Sequence, residues 1–492
     1  MQLRLSYLPP LMVYAAYGVS GLTGIVGTFF VKDYLDLSAE FLAALAFWAG
    51  IPWAVKMPVG HVVDLIWRWK AALVWLGAAM IAASLLIMIG LISHTGAMRE
   101  AMSVSRWFVL ASLLAPTGYM IQDAVADAMT VEAVPRLDER GLPYDRQARK
   151  SMHTTMQTLG RIAVIGGLVL VAAVNLYIFQ DAEGLPREQK AQIYARVYAA
   201  ALAVPLLSVS GVVLHRFLRH PVARVETTRP NWSVLGGSIV FVIVTLAVGL
   251  GNVRYGQELI FLGSLAVILF LLWRLARELE PAAREVLVAT ALILFVYRAM
   301  PGTGAGTTWW MIDVLKFDEA FLAKLSLVAY VLTLAGMFAF RRFMAEKPIA
   351  TILVFLTLAG TLLATPNIGM FYGLHEWTAA RSGGVVDARM IALIDTALES
   401  PLGQIAMIPM LAWIANSAPA KLKATYFAVM ASFSNLALAA AQLGTKYLNQ
   451  AFVVTRTDFS EAGTLMIAAT AIGFAVPLIA VLGVRAMKLK TA

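Results

Sequence analysis

What most constrains this chain is the recurrence of apolar stretches long enough to cross a bilayer. Windows of about 20 apolar residues fall near 8–31, 38–63, 71–93, 104–133, 152–179, 194–218, 233–251, 257–276, 284–312, 320–343, 348–372, 388–416, 423–452 and 462–487. Hydrocarbon offers no partner to a backbone N–H or C=O, so such stretches must fold as helices that satisfy their own groups. The windows predict about fourteen transmembrane helices. At 492 residues, 60% hydrophobic and 14% charged, the chain is too apolar for a soluble protein of its size. The expected class is an all-α polytopic membrane protein whose constant partner is the lipid bilayer.

The net charge of +10 reads as topology rather than as nucleic-acid binding. With the N-terminus inside, the inner segments collect Arg68, Lys70, Arg136, Arg140, Arg146, Arg149, Lys150, Arg216, Arg274, Arg277, Arg341, Arg342, Lys421 and Arg485. That is the sense of the positive-inside rule, and it predicts both termini cytoplasmic; the expected location is the cell (inner) membrane. The first apolar segment lacks a clear cleavage site and reads as a retained helix. Without cysteine, disulfides and thiolate metal sites are excluded. The pair of windows across 233–276 reads as an inserted hairpin. Removing it leaves six plus six helices, the arrangement of transporters built from two parallel halves. The predicted boundaries are 1–220 for the first half, 221–282 for linker and hairpin, and 283–492 for the second half.

Charged side chains inside a membrane span are costly and face a protein interior or a wet cavity. Asp123 and Asp127 lie one turn apart and share a helix face. Glu132 sits about 140° around from Asp127, nearer the inner edge. Asp395 and Glu399 repeat the same spacing in a later span. A carboxylate near a movable cation can carry protons, because burial and the cation pull its affinity for protons in opposite directions. Asp123, Asp127 and Asp395 are the candidate proton-coupling residues, with Glu399 beside Asp395.

Enzyme chemistry finds little footing. The six histidines form no H-E-x-x-H pair, no G-x4-G-K-[ST] loop exists, and no strand precedes Gly302-x-Gly304-x-Gly306. The chain is read as a non-enzyme without cofactor or metal. Pro301 beside that glycine series predicts a kink, whereas Gly18, Gly21, Gly24 and Gly27 read as helix packing.

Several motifs resemble known ones. Gly60-x3-Asp64 followed by Arg68 and Lys70 resembles the loop signature of the major facilitator superfamily. More narrowly, Pro52-Trp53-x2-Lys56-x3-Gly60-x3-Asp64 and Asp123-x3-Asp127-Ala128-x3-Glu132 resemble its folate-biopterin transporter family. So do Arg298-Ala299-x-Pro301 followed by Phe317-x3-Phe321-Leu322, and Ala424-Thr425-x-Phe427-Ala428-x-Met430-x-Ser432-x2-Asn435. The chain departs from that family at Pro58, in the hairpin 233–276 and in the long loop 134–151.

The resemblance implies a major facilitator fold working by alternating access, with proton-coupled uptake of a folate- or pterin-like solute. Lys56, Gly60, Asp64, Arg68 and Glu132 would form a conformational latch. A folate carboxylate suits Arg161 or Arg298, and a pterin edge suits Asp395 or Glu399. Tyr14, Tyr17, Trp309 and Trp310 offer aromatic faces. The alternative for the arginines is structural pairing, Arg161 with Asp123 and Arg298 with Asp395. The alternative functions are the same fold moving another metabolite or a pigment precursor, and a membrane assembly factor that transports nothing.

Overall fold

The computed structural model describes residues 4–35, 37–54, 56–66, 69–135, 142, 144–182, 184–218, 240, 243–245, 247–249, 251, 253–277, 279–417 and 423–491. Among the described residues all regular structure is helical. In chain order the helices are α1 (Leu8–Val19), joined by a 3-10 turn at Ser20–Thr23 to α2 (Gly24–Tyr34), α3 (Ala39–Ala54), α4 (Lys56–Leu65), α5 (Ala71–Ser93), α6 (Thr95–Ala101), α7 (Val104–Ala133), α8 (Arg146–Phe179), α9 (Arg187–Ala201) and α10 (Ala203–Phe217). Next come α11 (Gly256–Arg277), α12 (Pro281–Arg298), α13 (Ala305–Asp313), α14 (Glu319–Ala339), α15 (Arg341–Glu346), α16 (Ile349–Phe371), α17 (Leu374–Arg381), α18 (Ala388–Glu399), α19 (Met407–Ser417), α20 (Lys423–Ala451) and α21 (Ala462–Ala486).

Ten stretches among the described residues are long and apolar enough to cross a membrane. The all-helical membrane class therefore holds, but the windows do not map one to one onto continuous helices. The first arm of the expected hairpin, 233–251, falls largely outside the described residues. Window 284–312 is broken between α12 and α13, where Pro301 supplies no backbone donor and Gly304 takes φ 75°, a left-handed conformation open to glycine. The freed groups are satisfied from α20: Thr445 Oγ1 accepts from the Gly302 N–H at 2.9 Å, and Asn449 Nδ2 donates to the Thr303 carbonyl at 3.2 Å. Window 388–416 is interrupted by a 3-10 turn at Ser400–Leu402 with Pro401 in its first turn.

The chain divides into two compact units. The first comprises Met1–Leu35 and Val55–Val242, the second Asp36–Ala54 and Ile243–Ala492. In the first unit, α5 and α7 meet through glycines. A Cβ on Gly77 would stand 2.6 Å from the Gly118 carbonyl oxygen, and one on Gly118 would stand 2.6 Å from that of Gly77. Only hydrogen fits at that separation, which is how small residues let membrane helices touch backbone to backbone. The same pair is stitched by Ser84 donating to the Ala111 carbonyl at 2.7 Å and Gln122 to that of Val74 at 3.1 Å. Gly18 of α1 presses likewise on the Val164 carbonyl of α8, whereas Gly24 meets no described atom within 4 Å.

In the second unit, α3 lies along α20. Asn435 Nδ2 donates to the Trp53 carbonyl at 3.1 Å, and Gln450 Nε2 to Glu40 Oε1 at 2.6 Å. Helix α11 docks on both: Gln257 Nε2 donates to the Ala44 carbonyl at 2.8 Å, while Glu258 accepts from Lys446 at 2.9 Å and from the Tyr447 hydroxyl at 2.6 Å. Trp310, Phe317, Phe321, Met370 and Met466 form an apolar core in the same unit.

Candidate functional site

The acidic face of α7 organises the first unit. Asp123 and Asp127, one turn apart, look toward α4 and α1. Lys56, at the start of α4, donates to Asp123 and, at 2.6 Å, to Asp127 Oδ2. Tyr14 of α1 donates its hydroxyl to Asp127 Oδ1 at 2.6 Å. Arg161 of α8 lies within Coulombic reach of Asp123, Tyr14 and Tyr17. Tyr17 sets its ring edge-on to Tyr119 at 5.8 Å. Two cations thus balance two carboxylates. The cluster is open on one side: half of the Asp127 side-chain surface is exposed, 50%, and Arg161 is exposed too.

The sequence groups Lys56 with the loop residues Gly60, Asp64 and Arg68. The structure instead binds it to the α7 acids, where Arg161 was one expected partner. No described atom lies within 4 Å of where a Cβ on Gly60 would stand, so among the described residues no close helix approach requires that glycine. The Asp64 side chain and Arg68 lie outside the described residues.

Glu132, just past the apolar span that ends at Thr130, belongs to a separate cluster. Its carboxylate accepts from Lys70 Nζ at 2.8 Å and shares a hydrogen bond with His215 Nε2 at 2.9 Å. Its side chain is only 8% exposed. Burial alone would raise the affinity of Glu132 for protons, but the hydrogen bonds from His215 and Lys70 and their charge outweigh it, leaving the carboxyl below its ordinary 4.5. Sequence reasoning missed His215. Its position at the end of an apolar span is the only signal, and many unrelated residues share it.

In the second unit, Asp395 is buried, 6% exposed. Asn367 Nδ2 donates to its Oδ2 at 2.6 Å, while Oδ1 has no hydrogen-bond partner among the described residues. Glu399, one turn on, is exposed. Arg298 does not meet Asp395. Its Nε donates to the Ser434 carbonyl at 3.3 Å, and it lies within Coulombic reach of Tyr297. Asn367 was not singled out from sequence, because an amide in an apolar window has many routine uses. Trp309 is 1% exposed beneath the Arg456 guanidinium, 4.6 Å from the ring centre, and Trp310 is buried in the apolar core. Neither ring presents a free face. No group of three potential metal ligands occurs among the described residues.

The membrane-length helices have the major facilitator fold, which solved transporter structures share. A POT family transporter in complex with 5-aminolevulinic acid matches with a TM-score of 0.66 at 12% identity, over 98% of this chain and 96% of that one. A nucleoside transporter matches with a TM-score of 0.57 at 12% identity, over 98% and 100%. At such identities the likeness speaks for the fold. The model of the BT1 family matches residues 155–489, and the chain belongs to that family. A folate-biopterin transporter of Synechocystis is 23% identical over 462 residues, covering 93% of this chain and 77% of that protein. The motif resemblance read from the sequence is thus borne out at the level of the family: this is an integral membrane protein of a transporter family.

Proposed function

We propose that the protein is a secondary active transporter that takes up a folate- or pterin-like solute together with protons, working by alternating access between two six-helix halves. The observation that carries the reading is Lys56 bridging Asp123 and Asp127, with Tyr14 holding the second carboxylate. Acids kept inside a membrane helix by a cation that can let go have the makings of a proton carrier. The printed name of the Synechocystis relative supports the solute class.

In this reading Asp123 and Asp127 carry the proton of the first unit and Asp395 that of the second. Tyr14, Tyr17 and Arg161 are the solute-binding candidates of the first unit, and Arg298 and Glu399 those of the second. Glu132, held by Lys70 and His215, anchors the conformational latch. The protein sits in the cell (inner) membrane with both termini cytoplasmic, and the hairpin around α11 is an addition to the twelve-helix plan.

Uptake of labelled folate and labelled biopterin into proteoliposomes, with and without an inward-acid gradient, tests the proposal. Gradient-stimulated uptake that falls in Asp123→Asn is expected. Absence of uptake under both conditions by folded protein would remove the pterin assignment.

A further inference from the structure

The charges of the α7 cluster specify more than the presence of a proton carrier; their meaning for the solute rests on the proposed transport function. Lys56 is the only side chain whose hydrogen bonds join both carboxylates among the described residues. In the arrangement seen, its ammonium is committed to Asp123 and Asp127, and a solute carboxylate approaching it would meet two fixed negative charges. Lys56 and Arg161 against Asp123 and Asp127 sum to zero. One proton added to the carboxylate pair forms an O–H bond, leaves a net charge of +1, and removes one of the two negative charges that hold Lys56.

We propose that the proton works as a key for a carboxylate. Proton uptake by the Asp123–Asp127 pair releases the Lys56 ammonium, which then receives, together with Arg161, a carboxylate of the solute. The charge of the cluster returns to zero, so one proton enters with one carboxylate group. The elements around the cluster are consistent with this. From α1 come Tyr14 and Tyr17, from α4 Lys56, from α8 Arg161, and from α7 itself Tyr119 and the two acids. Helix α5, packed along α7, brings no ionisable side chain to this face (AALVWLGAAMIAASLLIMIGLIS). Tyr14 donates to Asp127 Oδ1 and so leaves Oδ2 as the oxygen facing Lys56. The open side of the cluster, where Asp127 and Arg161 are exposed, is where a solute would reach it.

Such a key discriminates within the proposed solute class. A folate carries carboxylates and would bind by this route. A neutral pterin would not be linked to the proton at this site.

The test is equilibrium binding to the purified full-length protein at about pH 5.5 and about pH 7.5, using folate, p-aminobenzoylglutamate (a carboxylate probe without the pterin ring) and biopterin. One-proton linkage predicts that both carboxylate probes bind at least about tenfold more tightly at the lower pH, while biopterin binding is indifferent to pH. Lys56→Met should abolish the carboxylate preference. Asp127→Asn keeps an oxygen for the Tyr14 hydroxyl and imitates the protonated state, so it should bind folate at pH 7.5 as the unmodified protein does at 5.5. This gain keeps the test decisive even if Lys56→Met fails to fold. Acid-favoured binding of p-aminobenzoylglutamate with no response to either pterin-containing probe would overturn the pterin reading and leave the proton key standing. Equal affinity for the carboxylates at both pH values, no binding of any probe, or no gain in Asp127→Asn would overturn the proton key.

Discussion

Tyr14 donates its hydroxyl to Asp127 at 2.6 Å, so the carboxylate that Lys56 holds from α4 is held on its other oxygen from α1. The phenol ring is buried and packs on Gly160 of α8, where an added Cβ would stand 3.1 Å from the ring carbons.

Tyr14→Phe keeps that packing and removes one hydrogen bond to a charged group, a loss of about 1.5–3 kcal/mol. Solute uptake in proteoliposomes should fall by roughly tenfold or more, with thermal unfolding within a few degrees of the unmodified protein. Unchanged uptake would take Tyr14 out of the site.

Glu132 gives a stability prediction with a definite sign. Its folded-state carboxyl lies below the ordinary value, so the stability it contributes is present above the unfolded value, near about 4.3, and is lost as pH falls through the folded value. Removing one partner from a buried pair costs about 3–5 kcal/mol, so Glu132→Gln should lower the melting temperature at neutral pH and flatten its fall below about pH 4.5. Melting curves in detergent across that range check both effects. A parallel downward offset at every pH would contradict the linkage.

The Gly77–Gly118 contact has no room for a methyl group. Gly77→Ala or Gly118→Ala forces α5 and α7 apart and should cost about 1–3 kcal/mol, seen as a lower thermal midpoint. Gly24→Ala, where no described atom lies within 4 Å of the new Cβ, serves as the control and should be close to neutral.

Helix α11 is fastened at its first turn, where Glu258 accepts from Lys446 and Tyr447. Glu258→Ala removes hydrogen bonds to a charged acceptor worth about 1.5–3 kcal/mol each, discounted for partial exposure. Amide hydrogen exchange should quicken in α11, most of all near Gly256, while α5 and α7 stay protected. Uniform protection would mean that the helix is held by its apolar face instead.

The class of fold was legible in the sequence, because about 20 apolar residues with no water to satisfy the backbone leave few options. The breaks were partly legible: Pro301 and Gly304 announce one, but whether a proline kinks or ends a helix depends on partners such as Thr445 and Asn449, far away in the chain. In the site, the spacing of Asp123 and Asp127 revealed their shared face. Lys56 was visible as part of a motif but was grouped with the neighbouring loop. Its partners lie 67 and 71 positions away, and no periodicity encodes that pairing. Trp309 illustrates the opposite failure. An aromatic beside a glycine-rich break looks available to a flat solute, yet the ring is buried under Arg456, and burial of one face of a short helix is decided by what packs on it.

Helix α3 belongs to the second unit although the chain on either side of it belongs to the first. Its hydrogen bonds with α20 lie near its own two ends, Trp53 to Asn435 and Glu40 to Gln450, the first across 382 positions of sequence. During synthesis α3 therefore emerges early and must wait for nearly all of the remaining polypeptide before its partner exists. Two fragments cut at mid-chain would leave α3 on the piece that does not contain α20, so neither fragment would carry a complete second unit. Co-expression should restore the fold only if the N-terminal fragment delivers α3 to the other.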